Sequence, residues 1–279
     1  MSELAFVKLG GSILTDKSRP ETPRPGVIAR LAREVASALA IRSSEAGSAE
    51  RGLRLVLGHG SGSFGHIAAR RYSTRQGVHS PADWEGFAKV AGVAARLNQI
   101  VTDAFLAAGV PVWSLQPSAS ARCRAGELVY LDTTPVERAL AEGLVPLLYG
   151  DVALDEVQGG TIVSTEQILA FLARRLHPSR FILVGVVDGV FEADPLSDPS
   201  ARHVPEISPA NWQAVRAALG GSHATDVTGG MLSKVEEMVH LVREMPELEV
   251  SFFSGETPGA LERAVLNPTE AGGTRLRWK

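Results

Sequence analysis

The chain has 279 residues, of which 44% are hydrophobic and 21% are charged, with a formal net charge of −3. This length fits one large α/β domain or two lobes that share a sheet, and the balanced charge argues against nucleic acid or a membrane surface as a partner. The single cysteine, Cys123, excludes an intrachain disulfide and a cysteine-rich zinc site, and the absence of a signal-peptide pattern or an apolar run near ~18 residues predicts a cytoplasmic protein.

Short apolar runs predict six buried strands, at 4–10, 53–60, 110–115, 144–151, 180–189 and 249–255. Between them, apolar residues recur at helical spacing from Val27, Phe87, Ile168 and Met231. Strands that alternate with amphipathic helices, and that are apolar along their whole length, are typical of a parallel sheet covered on both faces. The sequence therefore predicts an α/β fold.

Three segments depart from this alternation. Residues 152–164 form two short alternating runs around Gly159-Gly160 and predict a hairpin at an edge or lid. Residues 42–52 are a polar surface loop, and 193–209 form a Pro-rich loop of a length that is often functional. A boundary near residue 178 divides a single domain, 1–279, into an N-terminal lobe of about 1–178 and a C-terminal lobe of about 179–279.

Lysine is scarce in this chain, because the 28 basic residues comprise 23 arginines and only five lysines. Three of the five, Lys8, Lys17 and Lys234, lie in or beside glycine-rich turns. Lysine supplies a compact positive charge that suits phosphate oxygens. These three lysines are therefore candidates for contact with phosphate.

Glycine-rich turns occur at 8–12, 60–66 and 228–231, each at a predicted strand end or helix start. Glycine allows backbone N–H groups to approach an anion closely, and a helix N-terminus adds a favourable dipole. Any one of these turns by itself is compatible with a plain tight turn. Since ligands in open α/β sheets bind outside the carboxyl ends of the strands, the three turns together predict a phosphate site there.

The second turn also contains a literal G-x-G-x-x-G at Gly60, Gly62 and Gly65. A dinucleotide fingerprint needs an acidic residue at the end of a second strand about 20 residues later. The acids at that distance, Asp83 and Glu85, lie where Ser80 or Asp83 begins a helix instead. A Rossmann oxidoreductase is thus a distant alternative, and no G-x-x-x-x-G-K-[ST] P-loop is present.

Four motifs, "FVKLGGSILTDK", "GHGSGSFGHIAA", "VVDGVF" and "DVTGGMLSKV", together resemble the amino acid kinase superfamily and, within it, the isopentenyl phosphate kinase branch. The resemblance implies an αβα sandwich around a mainly parallel sheet, with the phosphate acceptor in the N-terminal lobe and ATP in the C-terminal lobe. It implies Mg²⁺-dependent transfer from ATP to isopentenyl phosphate, in isoprenoid biosynthesis and the mevalonate pathway. It also implies a homodimer.

The same resemblance assigns roles by position, and it assigns no residue as a metal ligand. Lys8 and Lys17 would be catalytic, with Lys17 stabilising the transferring phosphoryl group, and His66 would hold the acceptor. ATP would contact Lys8, Gly10, Gly11, Ser12, Gly62, Asp188, Gly230 and Lys234. The acceptor would contact Ser61, Gly62, His66 and Gly150.

Two positions depart from the family pattern. Ser61 stands where the second loop commonly has a glycine, and it still offers its backbone N–H provided that the turn does not need a positive φ. Ser164-Thr165-Glu166 stands where the pattern is often S-G-D. The aspartate of that pattern positions the catalytic lysines, and Glu166 could do so with a longer arm.

The chemistry is consistent with these assignments. A phosphomonoester acceptor, with a second pKa of about 6, is largely dianionic at neutral pH and needs no general base, so His66 is interpreted as a hydrogen-bond donor. An isoprenoid tail needs an apolar wall, for which the helix after the second loop offers Trp84, Phe87, Val90, Ala91 and Ala94. Open alternatives are a fosfomycin kinase, a carboxylate kinase, and a non-catalytic nucleotide- or phosphate-sensing module.

Overall fold

The computed structural model describes residues 3–45, 52–221, 230–267 and 272–279. The strands are β1 (Leu4–Leu9), β2 (Arg54–His59), β3 (Val112–Ser114), β4 (Arg122–Arg124), β5 (Glu127–Tyr130), β6 (Val145–Tyr149), β7 (Asp151–Asp155), β8 (Gly159–Val163), β9 (Arg180–Gly185), β10 (Val190–Phe191), β11 (His203–Val204), β12 (Glu206–Ile207), β13 (Glu249–Ser254) and β14 (Thr274–Leu276). The helices are α1 (Gly11–Leu14), α2 (Pro25–Glu45), α3 (Gly62–Tyr72), α4 (Pro81–Ala107), α5 (Thr134–Ala141), α6 (Thr165–Leu176), α7 (Trp212–Gly221), α8 (Gly230–Glu244) and α9 (Ala260–Leu266).

An eight-stranded sheet in the order β12-β14-β13-β9-β1-β2-β6-β3 forms the centre of the fold. Six neighbouring strands, from β13 to β3, run parallel, while β14 pairs antiparallel with β13 and parallel with β12. Because β9 pairs with β1, the sheet continues across residue 178. The predicted α/β class and the mainly parallel sheet are confirmed.

Helices cover both faces of the sheet, and alternate residues of each strand supply the two cores. On β1, Leu4 and Phe6 join a core with α5, α6, α7 and α8. Val7 and Leu9 face the opposite way and pack with α1, α2, α3, α4 and α9. This alternation follows from the period of two along a strand and produces the αβα sandwich.

Two helices begin at complete capping boxes. Ser80 accepts a hydrogen bond from the amide of Asp83 at the start of α4, and Ser164 accepts one from Gln167 at the start of α6. Each N3 side chain returns a bond to the cap amide, which satisfies two otherwise unpaired donors. The prediction that a helix begins near Ser80 is confirmed, and the Ser164 cap places Glu166 in the first turn of α6.

The hairpin within 152–164 is present as β7 and β8, in a second sheet of order β5-β4-β7-β8. Its turn was predicted wrongly, because residues 156–158 form it and Gly159-Gly160 already belong to β8. The run predicted as one strand over 144–151 divides at Gly150 into the end of β6 and the start of β7. The 193–209 loop contains the two-residue strands β11 and β12, and Cys123 is buried in the core.

Candidate active site

A cavity of about 90 Å³ lies at the carboxyl edge of the parallel strands. It collects most of the residues that the sequence singled out. The lining comprises Lys8, Gly10, Gly11, Ser12, Lys17, Gly60, Ser61, Gly62, Arg75, Gly150, Ile162, Val163, Ser164, Thr165, Glu166 and Lys234. The first two glycine turns and all three singled-out lysines therefore converge on one space.

The two glycine turns touch through their backbones. A β-carbon on Gly62, whose φ is +49°, would overlap Thr15 Oγ1 and the Gly11 carbonyl oxygen, and one on Gly11 would overlap the Gly62 amide. Thr15 joins the turns, since its hydroxyl donates to Gly11 O at 2.8 Å and accepts from the Ser63 amide at 2.9 Å. Only glycine at these two positions allows the turns to form one continuous wall.

A buried ion pair joins the two sides of the cavity. Lys8 Nζ, near the end of β1, donates to Glu166 Oε1 on α6 at 2.7 Å, and both residues are at least nine-tenths buried. Burial by itself raises the pKa of Glu166, but the charges of Lys8 and Lys234 and the Lys8 hydrogen bond outweigh it and hold the pKa below its ordinary value. Glu166 is therefore ionised at neutral pH and fixes the ammonium group of Lys8.

Lys17 reaches the cavity from a short loop between α1 and α2. The loop is closed by a bridge between Thr15 and Pro23 and by a hydrogen bond from the Asp16 amide to Thr22 O at 2.9 Å. The Thr22 amide also donates to Ser63 Oγ at 3.3 Å, which ties the loop to the start of α3. The side chain of Lys17 is exposed, so an incoming ligand can reach it.

Two predicted site residues, Gly230 and Asp188, lie outside the cavity lining, and the side chain of a third, His66, is not described. Lys234 lines the cavity from α8, but Gly230, which opens that helix, does not. Asp188 also lies outside the lining, where its carboxylate accepts from the Ser254 amide at 3.1 Å. His66 lies within α3, but its side chain is outside the described residues, as are Thr228 and Gly229 of the third glycine turn.

Three residues of the site have roles that the sequence did not predict. Thr15 joins the two glycine turns, Thr165 donates from Oγ1 to His59 O at 2.7 Å, and Arg75 adds a cation to the lining from a short 3₁₀ helix, Thr74–Gln76. No local signal marks them, because threonine and arginine are ordinary in polar loops. They are related to the motifs only by position: Thr15 directly follows "GGSIL", Thr165 follows the serine of "STE", and Arg75 lies just beyond α3.

His59 ends β2 in a buried network beside the cavity. Its Nδ1 lies 3.2 Å from Gly60 O, its Nε2 lies 3.2 Å from the Asn98 amide, and that amide reaches Ser114 Oγ at 2.6 Å. The ring also stacks on Tyr149 with a centroid distance of 5.7 Å. Burial, followed by the charge of Lys8, lowers the pKa of His59 to about 4, although the hydrogen bonds that the ring makes with Gly60 O and with Asn98 act to raise it. The ring is therefore neutral at physiological pH, and it is held in place by hydrogen bonds and by stacking.

This lowered pKa makes stability depend on pH. Since the unfolded chain binds a proton at His59 below about 6.5 and the folded chain only below about 4, the His59 contribution is complete above 6.5 and falls by about 3 kcal/mol as the pH drops through that window. We expect His59→Phe to flatten the pH dependence of the free energy of unfolding, measured by urea denaturation from pH 7 to 4.5. His240→Gln, at an exposed position, is the control substitution. Parallel curves for wild type and His59→Phe would contradict the assignment.

The described residues of the cavity form no dedicated metal cage. Among the described residues, no group of three or more His, Cys, Asp or Glu side chains could hold a metal ion. The acid in the cavity lining, Glu166, is bonded to Lys8. This donor set fits Mg²⁺ that arrives on phosphate oxygens, because Mg²⁺ commonly keeps its waters and is held largely by substrate phosphates.

Cavity size does not identify this site. A groove of about 910 Å³ lies between α3 and α4, lined by residues that include Phe64, Tyr72 and Arg96, and none of the predicted site residues with described side chains lines it. The chemistry of the lining therefore selects the smaller cavity at the strand ends.

No helix in the described ranges combines the length and apolar character needed to cross a bilayer.

Comparison with known proteins agrees with this geometry. The model of the amino acid kinase family matches residues 3–250. The isopentenyl phosphate kinase of Methanothermobacter thermautotrophicus is 34% identical over 99% of this chain and 100% of its own length, and that of Haloferax volcanii is 37% identical over 93% and 98%. A solved structure of isopentenyl phosphate kinase superimposes with a TM-score of 0.81 at 32% identity, covering 98% of this chain and 100% of its own. The chain belongs to the amino acid kinase family and, within it, to the isopentenyl phosphate kinases.

Proposed function

We propose that this protein transfers the γ-phosphoryl group of ATP to isopentenyl phosphate and forms isopentenyl diphosphate. The observation that carries the proposal is the convergence of Lys8, Lys17 and Lys234 with two glycine turns on one cavity. Two phosphate-bearing substrates repel each other, so the main task of such a site is to neutralise and position charge. Three ammonium groups and a wall of backbone amides perform that task.

Each lysine has a distinct place in this scheme. Lys8, held by Glu166, lies beside the first glycine turn and would contact the β- and γ-phosphates together with the amides of Gly11 and Ser12. Lys234 approaches from α8 on the nucleotide side, and Lys17 approaches from its loop to meet the transferring group. When the bond between the β- and γ-phosphates breaks, negative charge develops on phosphate oxygens that would already lie beside these ammonium groups.

The acceptor side is formed by the second glycine turn. Ser61, Gly62 and Gly150 line the cavity there, and Ile162 and Val163 supply an apolar wall. Of the residues expected to meet a prenyl tail, Val90 and Ala94 are buried in the core, while Phe87 packs against the hairpin at Gly160. Among the described residues of the lining, the carboxylate of Glu166 is paired with Lys8, which leaves it unsuited to act as a base, in keeping with an acceptor that is already dianionic.

A panel of acceptors tests this function. ADP release with Mg-ATP is measured for isopentenyl phosphate, dimethylallyl phosphate, geranyl phosphate, fosfomycin and N-acetylglutamate. We expect turnover with isopentenyl phosphate and a lower kcat/KM for the others. Turnover only with fosfomycin or the carboxylate would replace the proposal by one of the related kinases, and no turnover with any compound would favour a sensing module.

His66 provides a second test, because the resemblance assigns it to the acceptor phosphate. We expect His66→Ala to lower kcat/KM for isopentenyl phosphate by about 10²-fold or more, since one charge-stabilising donor is lost. The dissociation constant for ATP, measured by calorimetry, should change little. His79→Ala, at an exposed position beyond α3, is the matched control. Equal activity of the two variants would show that His66 does not hold the acceptor.

We further propose that Mg²⁺ enters as Mg-ATP, that the enzyme works in the cytoplasm, and that the protein is a homodimer. The edge strand β3 and the end of α4 expose Trp113 and Leu106, at 43% and 50% of their surface, and an exposed apolar edge favours association. Light scattering should give twice the mass of one chain, and Trp113→Glu should weaken the dimer. A monomer at micromolar concentration would contradict this part of the proposal.

A further inference from the structure

The peptide unit that joins Gly60 to Ser61 lies between the cavity and the buried ring of His59. Its carbonyl oxygen lies 3.2 Å from His59 Nδ1, on the buried side. The Gly60 amide donates to Leu9 O at 2.9 Å, so the residue is fixed against β1 as well. The peptide is therefore held from behind by a ring that does not itself line the cavity.

Because a peptide is planar, the orientation of the Gly60 carbonyl also fixes the orientation of the Ser61 N–H group. In a trans peptide the C=O and N–H groups point in opposite directions. With the Gly60 carbonyl turned to the buried ring, the Ser61 N–H is directed to the side where Lys8, Ser61 and Gly62 line the cavity. Within the described ranges no acceptor is found for that N–H, which leaves it available to an anion.

The opposite orientation of the peptide would harm the site. A flip by half a turn would place a carbonyl oxygen where an acceptor phosphate has to bind, and it would repel the anion. The same flip would carry φ of Ser61 from −82° into the left-handed region, which a residue with a β-carbon rarely adopts. A glycine, the residue common in the family at this position, would carry no such penalty.

The hydrogen-bond requirements of His59 favour one protonation state. Gly60 O can only accept, so Nδ1 carries the proton, and a neutral ring then needs a donor at Nε2. The Asn98 amide supplies that donor when its nitrogen faces the ring and its oxygen accepts from the Ser114 hydroxyl, an orientation that occupies the same space. The chain Ser114–Asn98–His59–Gly60 is then satisfied at every step.

We propose that His59 is a positioning residue that, together with the β-carbon of Ser61, locks the Gly60–Ser61 peptide with its N–H toward the acceptor phosphate. The inference rests on the proposed function for the identity of that phosphate. It gives His59 and Ser61 a shared role, since each disfavours the flipped peptide from a different side. Ser61, which departs from the family pattern, thereby contributes to fixing the orientation of the Gly60–Ser61 peptide.

Two variants of His59 separate this role from simple packing. His59→Phe keeps the stacking on Tyr149 but loses the donor, whereas His59→Asn loses the ring but keeps an N–H at the Nδ1 position. We expect His59→Phe to raise the KM for isopentenyl phosphate by about tenfold or more, and His59→Asn to recover most of that loss although its melting temperature is the lower of the two. The KM for ATP should stay within about twofold in both.

Loss of activity that follows the melting temperature, or equal losses in both variants, would reduce His59 to a packing residue and overturn the inference. Ser61→Gly adds an independent arm. Alone it should raise the acceptor KM, because the flipped peptide is no longer disfavoured by a β-carbon, and combined with His59→Phe the increase should exceed the product of the single effects. Additive effects would contradict a shared restraint.

Crystal structures of wild type and of the double variant give a readout that does not depend on which phosphate is the substrate. We expect the Gly60 carbonyl to face His59 in the wild type and to face the cavity in His59→Phe/Ser61→Gly. An unchanged peptide in the double variant would overturn the inference even if isopentenyl phosphate is turned over. Absence of turnover by the wild type with a flipped peptide in the variant would overturn only the proposed function.

Discussion

Replacing Lys8 with methionine should lower kcat by about 10²–10³-fold, the usual cost of removing one preorganised charge from a phosphoryl-transfer site. Methionine preserves the volume of the lysine stem, so the strand and the glycine turn keep their packing. What disappears is the ammonium group that Glu166 holds at 2.7 Å beside the first turn. The loss should appear in kcat more than in the KM for ATP, because the charge is needed most as the phosphoryl group moves.

The ion pair between Lys8 and Glu166 allows a second measurement, of stability. In Lys8→Met the carboxylate of Glu166 stays buried beside the charge of Lys234 but loses its hydrogen-bonded partner, so the variant should also be less stable. Adding Glu166→Gln removes that buried charge and should restore part of the free energy of unfolding without restoring kcat. Lys89→Met, at an exposed lysine of α4 outside the cavity, is the matched control for loss of one charge. A kcat for Lys8→Met within tenfold of wild type would show that Lys8 is not part of the transfer machinery.

Gly62→Ala should lower kcat/KM by about 10²-fold or more, because a displacement of about 1 Å at reacting groups has an effect of that size. A β-carbon at Gly62 would overlap Thr15 Oγ1 and the Gly11 carbonyl oxygen, and the φ of +49° adds strain of about 1–2 kcal/mol. The two glycine turns would have to separate, and the turn amides on both sides of the cavity would move with them. Steady-state kinetics and thermal unfolding together measure the effect.

Gly26→Ala is the matched control for this substitution. A β-carbon there meets no atom within 4 Å, and Gly26 lies in the first turn of α2, where alanine is the better helix former. Its activity should equal that of wild type, with equal or slightly higher stability. Should Gly62→Ala behave like Gly26→Ala, the close contact between the two turns would have no role in positioning the substrates.

The central strands and long helices could be predicted from the sequence because their signals are local. Buried parallel strands are apolar along their length, and α4 and α6 start at capping boxes within four residues of sequence. The short strands β10, β11 and β12 could not be predicted, since two residues carry no periodicity and their pairing depends on distant partners. The hairpin turn was predicted at Gly159-Gly160 because paired glycines are typical of turns, but the chain reverses at residues 156–158.

For the site, the sequence by itself determined which residue types would meet phosphate, since glycine turns and isolated lysines carry that chemistry wherever the chain folds. It also determined that the turns would gather at one edge, because the carboxyl ends of parallel strands share that edge. Only the tertiary structure decided that Glu166 pairs with Lys8 across 158 residues, that Thr15 joins the two turns, and that His59 supports Gly60 from behind. These contacts join residues that are distant in the chain or depend on a buried orientation, so packing alone fixes them.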